Sequence, residues 1–94
     1  MAIISYADKA TRDFHINGVC PAKWRSFANV VLRKLDMINR AATLSFLASP
    51  SGNRLEQLRG DRKGQHSVRI NQQYRVCFRW TANGAEAVEV VDYH

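Results

Sequence analysis

The chain has 94 residues, a formal net charge of +6 at neutral pH and a hydrophobic fraction of 46%. This length predicts a single domain over residues 1–94, and the apolar fraction excludes a chain that is disordered throughout. No apolar run is long enough to cross a membrane, and the N-terminus lacks a secretion pattern, so we expect a cytoplasmic protein without membrane partners. Cys20 and Cys77 lack the spacing of a zinc site and are expected to be free thiols.

The first half of the sequence predicts one short strand followed by helices. Residues 3–5 are β-prone, and Asp8 then begins a helix that ends at Asn17 and Gly18, which both tolerate a left-handed backbone. Apolar residues recur at three- and four-residue steps over residues 21–42, which predicts one long helix opened by a proline. The members of this apolar stripe are Trp24, Phe27, Val31, Leu35, Ile38 and Ala42.

The second half predicts strands. Thr43 is expected to cap a short helical turn over residues 43–47, and a loop follows at 50–53. The predicted strands are 54–58, 66–70, 74–80 and 85–93, separated by turns or loops at 60–64, 71–73 and 82–84. This order predicts an α+β fold, in which N-terminal helices pack on one face of an antiparallel-dominated, twisted sheet of about four or five strands. The other face is expected to stay open to a ligand.

The positive charge is concentrated in residues 54–80, which contain seven basic residues and two acidic ones. Six of the seven are arginines, whose planar donor fork matches phosphate oxygens in pairs. Along the strand 74–80, alternation places Arg75 and Arg79 on one face together with Cys77. The pattern favours a surface for a polyanion about as strongly as a solvated face that only keeps the protein soluble.

The chain ends in Asp92, Tyr93 and His94, which can all transfer protons or contact phosphate. RNA cleavage without a metal needs a base for the 2′-hydroxyl, cations for the transition-state charge and an acid for the leaving oxygen. His94 or Tyr93, together with Arg59 and Arg75, could supply these groups. The opposite interpretation is a frayed terminus without a role. We expect His15 to lie on the surface and His66 to be structural.

Four segments carry a more specific signal in combination. They are Leu-Arg-Gly-Asp-Arg-Lys-Gly at 58–64, His-Ser-Val-Arg-Ile-Asn at 66–71, Tyr-Arg-Val-Cys-Phe at 74–78 and Asp-Tyr-His at 92–94. The combination resembles the HigB family of bacterial toxins, which belongs to the RelE superfamily and includes the plasmid-maintenance killer proteins. The resemblance covers essentially the whole chain. It implies a RelE-like fold and a ribosome-dependent mRNA endonuclease that cuts messages in the ribosomal A site without a metal or another cofactor.

The resemblance also implies the site residues. They are Arg59, Arg75 and the terminal Asp92, Tyr93 and His94. Together with the arginine-rich strands, this predicts Arg59, Arg75, Tyr93 and His94 as catalytic residues. The predicted RNA-binding residues are Arg54, Arg62, Lys63, Arg69, Arg79 and Asp92. Two positions depart from the family pattern, since Arg59 replaces a lysine and Glu56 replaces a histidine that some members carry. Arg59 keeps the charge but stays protonated, so it is a poor proton donor. Glu56 places a negative charge near the message.

The implied partners are a HigA-like helix-turn-helix antitoxin, the 30S ribosomal A site and mRNA, with operator DNA reached only through the antitoxin. Two other functions are compatible with the sequence. One is a RelE-fold protein with weak or lost nuclease activity that acts mainly as the partner of a DNA-binding antitoxin. The other is a general basic RNA-binding protein, whose affinity for free RNA would fall steeply as salt rises.

Overall fold

The protein, seen in a computed structural model that describes residues 2–49 and 51–93, folds as a sheet with helices on one face. The described elements are β1 (Ala2–Ile3), α1 (Lys9–Asn17), α2 (Ala28–Arg40), β2 (Glu56–Gln57), β3 (His66–Arg69), β4 (Tyr74–Thr81) and β5 (Gly84–Asp92). Within this part of the chain the five strands lie in the order β1-β5-β4-β3-β2. Only β1 and β5 are parallel, and the other neighbouring pairs are antiparallel. The predicted α+β, RelE-like fold is confirmed.

The ends of α1 are set by the residues that flank it. The Asp8 side chain accepts the Thr11 N–H at 3.0 Å, and Gly18 ends the helix with a left-handed φ of 73°. Both predicted helix ends are therefore confirmed. Thr11 is completely buried, and its Oγ1 accepts the N–H of Val90 at 3.0 Å, which joins α1 to β5 beyond the end of β1.

The long helix predicted over residues 21–42 is wrong in its first third. Ala22–Phe27 forms a 3-10 helix, and Phe27 leaves the helical conformation with φ −127° and ψ 23° before α2 begins. The Phe27 ring packs against Tyr74 of β4 with the ring centroids 4.9 Å apart. Pro21 is extended and precedes the first turn. Contact with the sheet therefore outweighs the uninterrupted helical period of the sequence.

The apolar stripe of α2 forms the core with the sheet. Val31, Leu35 and Ile38 are fully buried, as the helical period predicts, whereas the stripe ends at buried Ala41 and the predicted member Ala42 is exposed. The sheet contributes the side chains that point towards the helices, namely Val68, Ile70, Tyr74, Val76, Phe78, Ala85, Val88 and Val90. No helix in the described part of the chain is both long and apolar enough to span a membrane.

The two outer strands are shorter than predicted. The strand expected over residues 3–5 is Ala2–Ile3, followed by a single bridge between Tyr6 and Val88. The strand expected over 54–58 is reduced to Glu56–Gln57, because Arg54 has a left-handed φ of 44° that an extended strand excludes.

The connections mostly follow the sequence. Thr43 caps a 3-10 turn over Leu44–Ala48 by accepting the Phe46 N–H at 3.3 Å, as predicted. The loop expected at 50–53 contains a 3-10 turn over Ser51–Asn53, and Pro50 lies outside the described residues. The loop at 60–64 holds another 3-10 turn, with positive φ angles at both of its glycines.

The last strand contains a bulge that strict alternation did not predict. The pairing of β4 with β5 shifts by one residue between Cys77 and Arg79. Ala87 of β5, opposite this point, has a positive φ of 54°. Ala85 and Val88 are consequently both completely buried although they are three residues apart.

Replacing Gly84 by alanine is expected to lower the free energy of unfolding by roughly 2–4 kcal/mol. Gly84 has a φ of 132°, and a Cβ there would lie 2.1 Å from the backbone oxygen of Ala2, its partner across the parallel strand pair. Urea unfolding followed by circular dichroism measures the change. Gly52→Ala is the matched control, because nothing lies within 4 Å of a Cβ at that position. Equal stability of the two variants would contradict the predicted clash.

His66 is expected to make the protein acid-sensitive. Its ring stacks on Phe78 on the helical side of the sheet, and burial lowers the pKa of His66 below 6.5. Between the lowered pKa and about 6.5 the unfolded chain binds more protons, so the free energy of unfolding decreases as the pH falls through that window. We expect His66→Gln to reduce this dependence, measured by urea unfolding at several pH values. An NMR titration midpoint for His66 at or above 6.5 would contradict the prediction.

Candidate functional site

The sheet face that points away from the helices, here called the outer face, carries two cross-strand rows of side chains. The first row runs through Glu56, Ser67, Cys77 and Glu89, and the second through Arg69, Arg75 and Val91. Ser67 and Cys77 are completely buried, and Arg75 is 9% exposed. The centre of the outer face is therefore covered by other side chains, whereas two hollows on this side stay open.

Arg75 is the best-anchored cation of the outer face. Its Nε donates to Ser67 Oγ on the neighbouring strand at 2.7 Å, and its Nη2 donates to the Arg54 carbonyl oxygen at 2.5 Å. Nη2 also lies 3.0 Å from Glu56 Oε1. Arg75 thus links β4, β3 and the segment that leads into β2. A buried guanidinium needs this number of acceptors, since each unpaired buried donor costs free energy.

The segment before β2 is shaped around this guanidinium. Arg54 has the left-handed φ of 44°, which is uncommon for a residue with a Cβ. This conformation accompanies the turn of its carbonyl oxygen towards Arg75, where it accepts the hydrogen bond from Nη2. Backbone strain of this kind persists where surrounding contacts hold it in place. The Arg54 side chain itself is exposed.

Two neighbouring hollows open on this side of the molecule. The arginine hollow, about 410 Å³, is lined by Arg54, Leu55, Glu56, Arg69 and Arg75. The tyrosine hollow, about 390 Å³, is lined by Glu56, Gln57, Leu58, Arg59 and Tyr93. Glu56 lines both of them. Six of the predicted site residues are therefore positioned around two adjoining concave surfaces once Lys63 is included, because it lines a third hollow with Arg59.

Arg59 and Tyr93 line the same hollow although they are far apart in the sequence. Arg59 follows β2 and is exposed, and its guanidinium forms no ion pair within residues 2–49 and 51–93. Tyr93 follows β5 and is 41% exposed, with its backbone N–H donating to the Gln73 oxygen at 2.7 Å. The tyrosine hollow therefore combines an available cation with a phenol hydroxyl.

Arg62 is a partly exposed residue whose side chain also forms hydrogen bonds that stabilise the fold. Its Nη1 donates to Glu89 Oε1 at 2.8 Å and to Gln65 Oε1 at 3.1 Å. The bond to Glu89 raises the pKa of Arg62, so the guanidinium stays charged. Cys77 lies in the same cross-strand row as Glu89, and burial raises the pKa of its thiol. Arg62, predicted to bind RNA, is thus engaged by a carboxylate of β5.

Two other predicted RNA-binding residues lie away from the hollows. Arg79 Nη1 donates to the Gly64 carbonyl at 3.4 Å, and its Nε lies 3.8 Å from Glu86. The Asp92 carboxylate accepts from Gln73 Nε2 at 2.9 Å. Strand alternation places Asp92 on the side opposite Tyr93. Neither residue lines the arginine or the tyrosine hollow.

The three histidines have different surroundings. His94, predicted to be catalytic, lies outside the described residues. His66 packs on the core side, in agreement with the structural role expected for it. His15 is not a surface residue, since only 10% of its side chain is exposed. Its Nδ1 lies 2.6 Å from the Tyr6 hydroxyl and its Nε2 lies 2.9 Å from Asp36 Oδ1, which ties α1 to α2.

A buried lysine was missed at the sequence level. Lys34 of α2 is 6% exposed and donates to Oδ1 of the completely buried Asn53. Asn53 in turn donates to the Leu47 oxygen at 3.0 Å. Burial is the main cause that lowers the pKa of Lys34, with Arg33 and Arg69 adding to it. The helical period could have indicated its burial, because position 34 falls within the three- and four-residue spacing of the buried stripe.

The comparisons with known proteins agree with the fold and with the motifs. Residues 4–94 match the family described as RelE-like toxin of type II toxin-antitoxin system HigB. The chain is 46% identical over 55 residues to "Toxin HigB-1" of Vibrio cholerae serotype O1, which covers 58% of each chain. It is 39% identical over 54 residues to an uncharacterized protein of Haemophilus influenzae, over 57% of this chain and 54% of the relative. The chain therefore spans somewhat more than half the length of these relatives.

The matched region includes both helices, both hollows and every described strand except β1, which ends at Ile3. The alignment thus covers the elements that hold Arg59, Arg75 and Tyr93 in place. On this match, the chain belongs to the HigB-like family of RelE-like toxins from type II toxin–antitoxin systems.

Proposed function

We propose that this protein is a toxin that acts as a ribosome-dependent mRNA endonuclease, cleaving messages in the 30S A site and so inhibiting translation. The observation that supports it most is the tyrosine hollow, where Arg59 and Tyr93 line one concave surface. The arginine hollow adjoins it and adds three further cations. A run of RNA phosphates needs such a series of neighbouring cationic sites.

The proposed chemistry is attack of a 2′-hydroxyl on the adjacent phosphorus, without a metal ion. A base removes the 2′-hydroxyl proton, the new 2′-oxygen–phosphorus bond forms, and the 5′-oxygen leaves with a proton from an acid. Tyr93 and His94 are the groups proposed for the proton transfers. Arg59 stabilises the negative charge on the phosphorus oxygens. Its guanidinium acts only through charge and hydrogen bonds, because it does not give up a proton near neutral pH.

The shape of the site supports a requirement for the ribosome. Both hollows are open, with the Glu56 side chain 55% exposed and Tyr93 41% exposed. Cleavage needs the 2′-oxygen, the phosphorus and the 5′-oxygen in line, and such alignment contributes a large share of the rate enhancement. An open surface cannot impose this alignment on a flexible message. The A site would hold the message in the required geometry.

Membership of the family supports an antitoxin partner. We propose a HigA-like helix-turn-helix antitoxin, through which the complex reaches operator DNA. The exposed cations of the two hollows would then serve mRNA and ribosomal RNA, and DNA contacts would come from the antitoxin. Measuring operator DNA binding by the purified protein in the presence and absence of the antitoxin tests whether the DNA contacts come from the antitoxin.

One observation favours a second candidate function, a toxin-fold protein with weak nuclease activity that mainly partners its antitoxin. The carboxylate of Glu56, where the family resemblance implies a histidine in some members, pairs with Arg75. Both features reduce the groups available for chemistry. Expression of the protein alone separates the candidates, since the nuclease predicts growth arrest with cleaved messages and the second candidate predicts normal growth.

Arg59→Ala is expected to reduce mRNA cleavage on programmed ribosomes by about 10²-fold or more, because it removes the charge that stabilises the transition state. Primer extension on the message measures the cleaved fraction. Arg25→Ala is the matched control, since it removes one exposed arginine from the helical side of the sheet. Activity of Arg59→Ala equal to that of the control would contradict the assignment.

Tyr93→Phe is expected to lower cleavage by roughly 10²-fold if the hydroxyl transfers a proton. The ring is kept, so the fold should be unaffected, which thermal unfolding verifies. An undiminished cleavage rate would place the proton transfers on other groups, with His94→Gln as the next variant. Arg75→Ala is unsuited to this test, because the buried guanidinium also joins three segments of the fold.

A further inference from the structure

The Glu56 carboxylate pairs with Nη2 of Arg75 at 3.0 Å, and both residues line the arginine hollow. The pair is asymmetric, since 11% of the Arg75 side chain is exposed but 55% of the Glu56 side chain is. Glu56 lies on β2, the short edge strand, and is surrounded by Arg54, Arg69 and Arg75 in that hollow. An exposed carboxylate thus lies on a largely buried, anchored guanidinium, where a phosphate oxygen would be bound in the same way.

Arg75 does not need Glu56 in order to stay in place. Its Nε bond to Ser67 and its Nη2 bond to the Arg54 carbonyl are independent of the Glu56 side chain. Loss of the carboxylate would therefore leave the guanidinium oriented and partly uncompensated. A neighbouring anion could then replace the carboxylate without rearrangement of β3 or β4.

We propose that Glu56 is an internal stand-in for a phosphate oxygen, so that the RNA backbone binds the arginine hollow only by displacing the Glu56 carboxylate from Arg75. The identity of the ligand as RNA backbone rests on the proposed function, and the displacement itself rests on the geometry. Glu56 also lines the tyrosine hollow together with Arg59. Glu56 therefore sets the affinity of the free protein for nucleic acid and keeps it low.

The test uses the purified full chain and a 2′-deoxy trinucleotide, which carries phosphodiesters but no 2′-hydroxyl for the cleavage reaction. The ¹⁵N-labelled Arg75 Nε–H signal reports binding at this guanidinium. We expect Glu56→Gln to bind the trinucleotide about threefold to tenfold more tightly than the natural sequence, as loss of a competing ion pair predicts. The gain should be largest at low salt.

Glu86→Gln is the matched control. It removes the same single charge from the same sheet, at a pair with Arg79 whose atoms are 3.8 Å apart and whose side chains are 46% and 41% exposed. A non-specific effect of net charge would strengthen binding equally in both variants, and that result would overturn the proposal. Weaker binding by Glu56→Gln would also overturn it, because Glu56 would then support the site. Glu56→Ala, checked for a native thermal transition, should show the same gain as Glu56→Gln.

The result of the trinucleotide-binding experiment can be distinguished from the result of testing the proposed nuclease function. The trinucleotide experiment needs no ribosome, no cleavage and no growth arrest. A protein without toxicity in cells would refute the nuclease, yet tighter binding by Glu56→Gln than by Glu86→Gln would still establish the displaced carboxylate. Conversely, an active nuclease with identical binding in the two variants would refute only the stand-in role.

Discussion

The buried guanidinium of Arg75 is the interaction on which the candidate site depends. A charge at 9% exposure is unfavourable unless acceptors surround it, and here they come from three separate segments. Ser67 fixes it to β3, and the strained backbone at Arg54 supplies a carbonyl from the segment before β2. The hydrogen-bond acceptors that Arg75 requires thus fix the position of the segment that carries Glu56 and, a few residues later, Arg59.

Four of the six arginines in residues 54–80 form two groups that differ in what holds the side chain. Arg75 and Arg62 form short bonds to side chains or carbonyls of other segments, and these bonds restrict their donors. Arg54 and Arg59 have exposed side chains that line the hollows. Only the second group can offer both edges of the planar fork to a ligand. A cationic face therefore contains both the framework of the site and its binding groups.

The support beneath the site comes from the helical layer. Lys34 on α2 holds Asn53, and Asn53 lies directly before Arg54 in the chain. Asn53 also donates to the Leu47 carbonyl oxygen. The segment before β2 is therefore held by the contacts of Asn53 on the helical side and by Arg75 on the outer face. Binding groups carried on loops need such rigid attachment to keep their geometry. The combination of a fixed backbone and exposed side-chain ends suits the proposed binding of a flexible message.

The sequence alone determined the α+β class, the caps at Asp8 and Gly18, the long strands and the family motifs, because local patterns of period and capping specify them. It could not determine the break at Phe27, the bulge at Ala87 or the covered centre of the outer face, since these follow from contacts between distant segments. The composition indicated an arginine-rich surface. Arginines that look equivalent in the sequence nevertheless differ in burial and in hydrogen-bond partners once the chain is folded. Only the tertiary structure decided which guanidinium is buried and paired and which is free to bind, because desolvation and the available acceptors depend on neighbours that the sequence does not place.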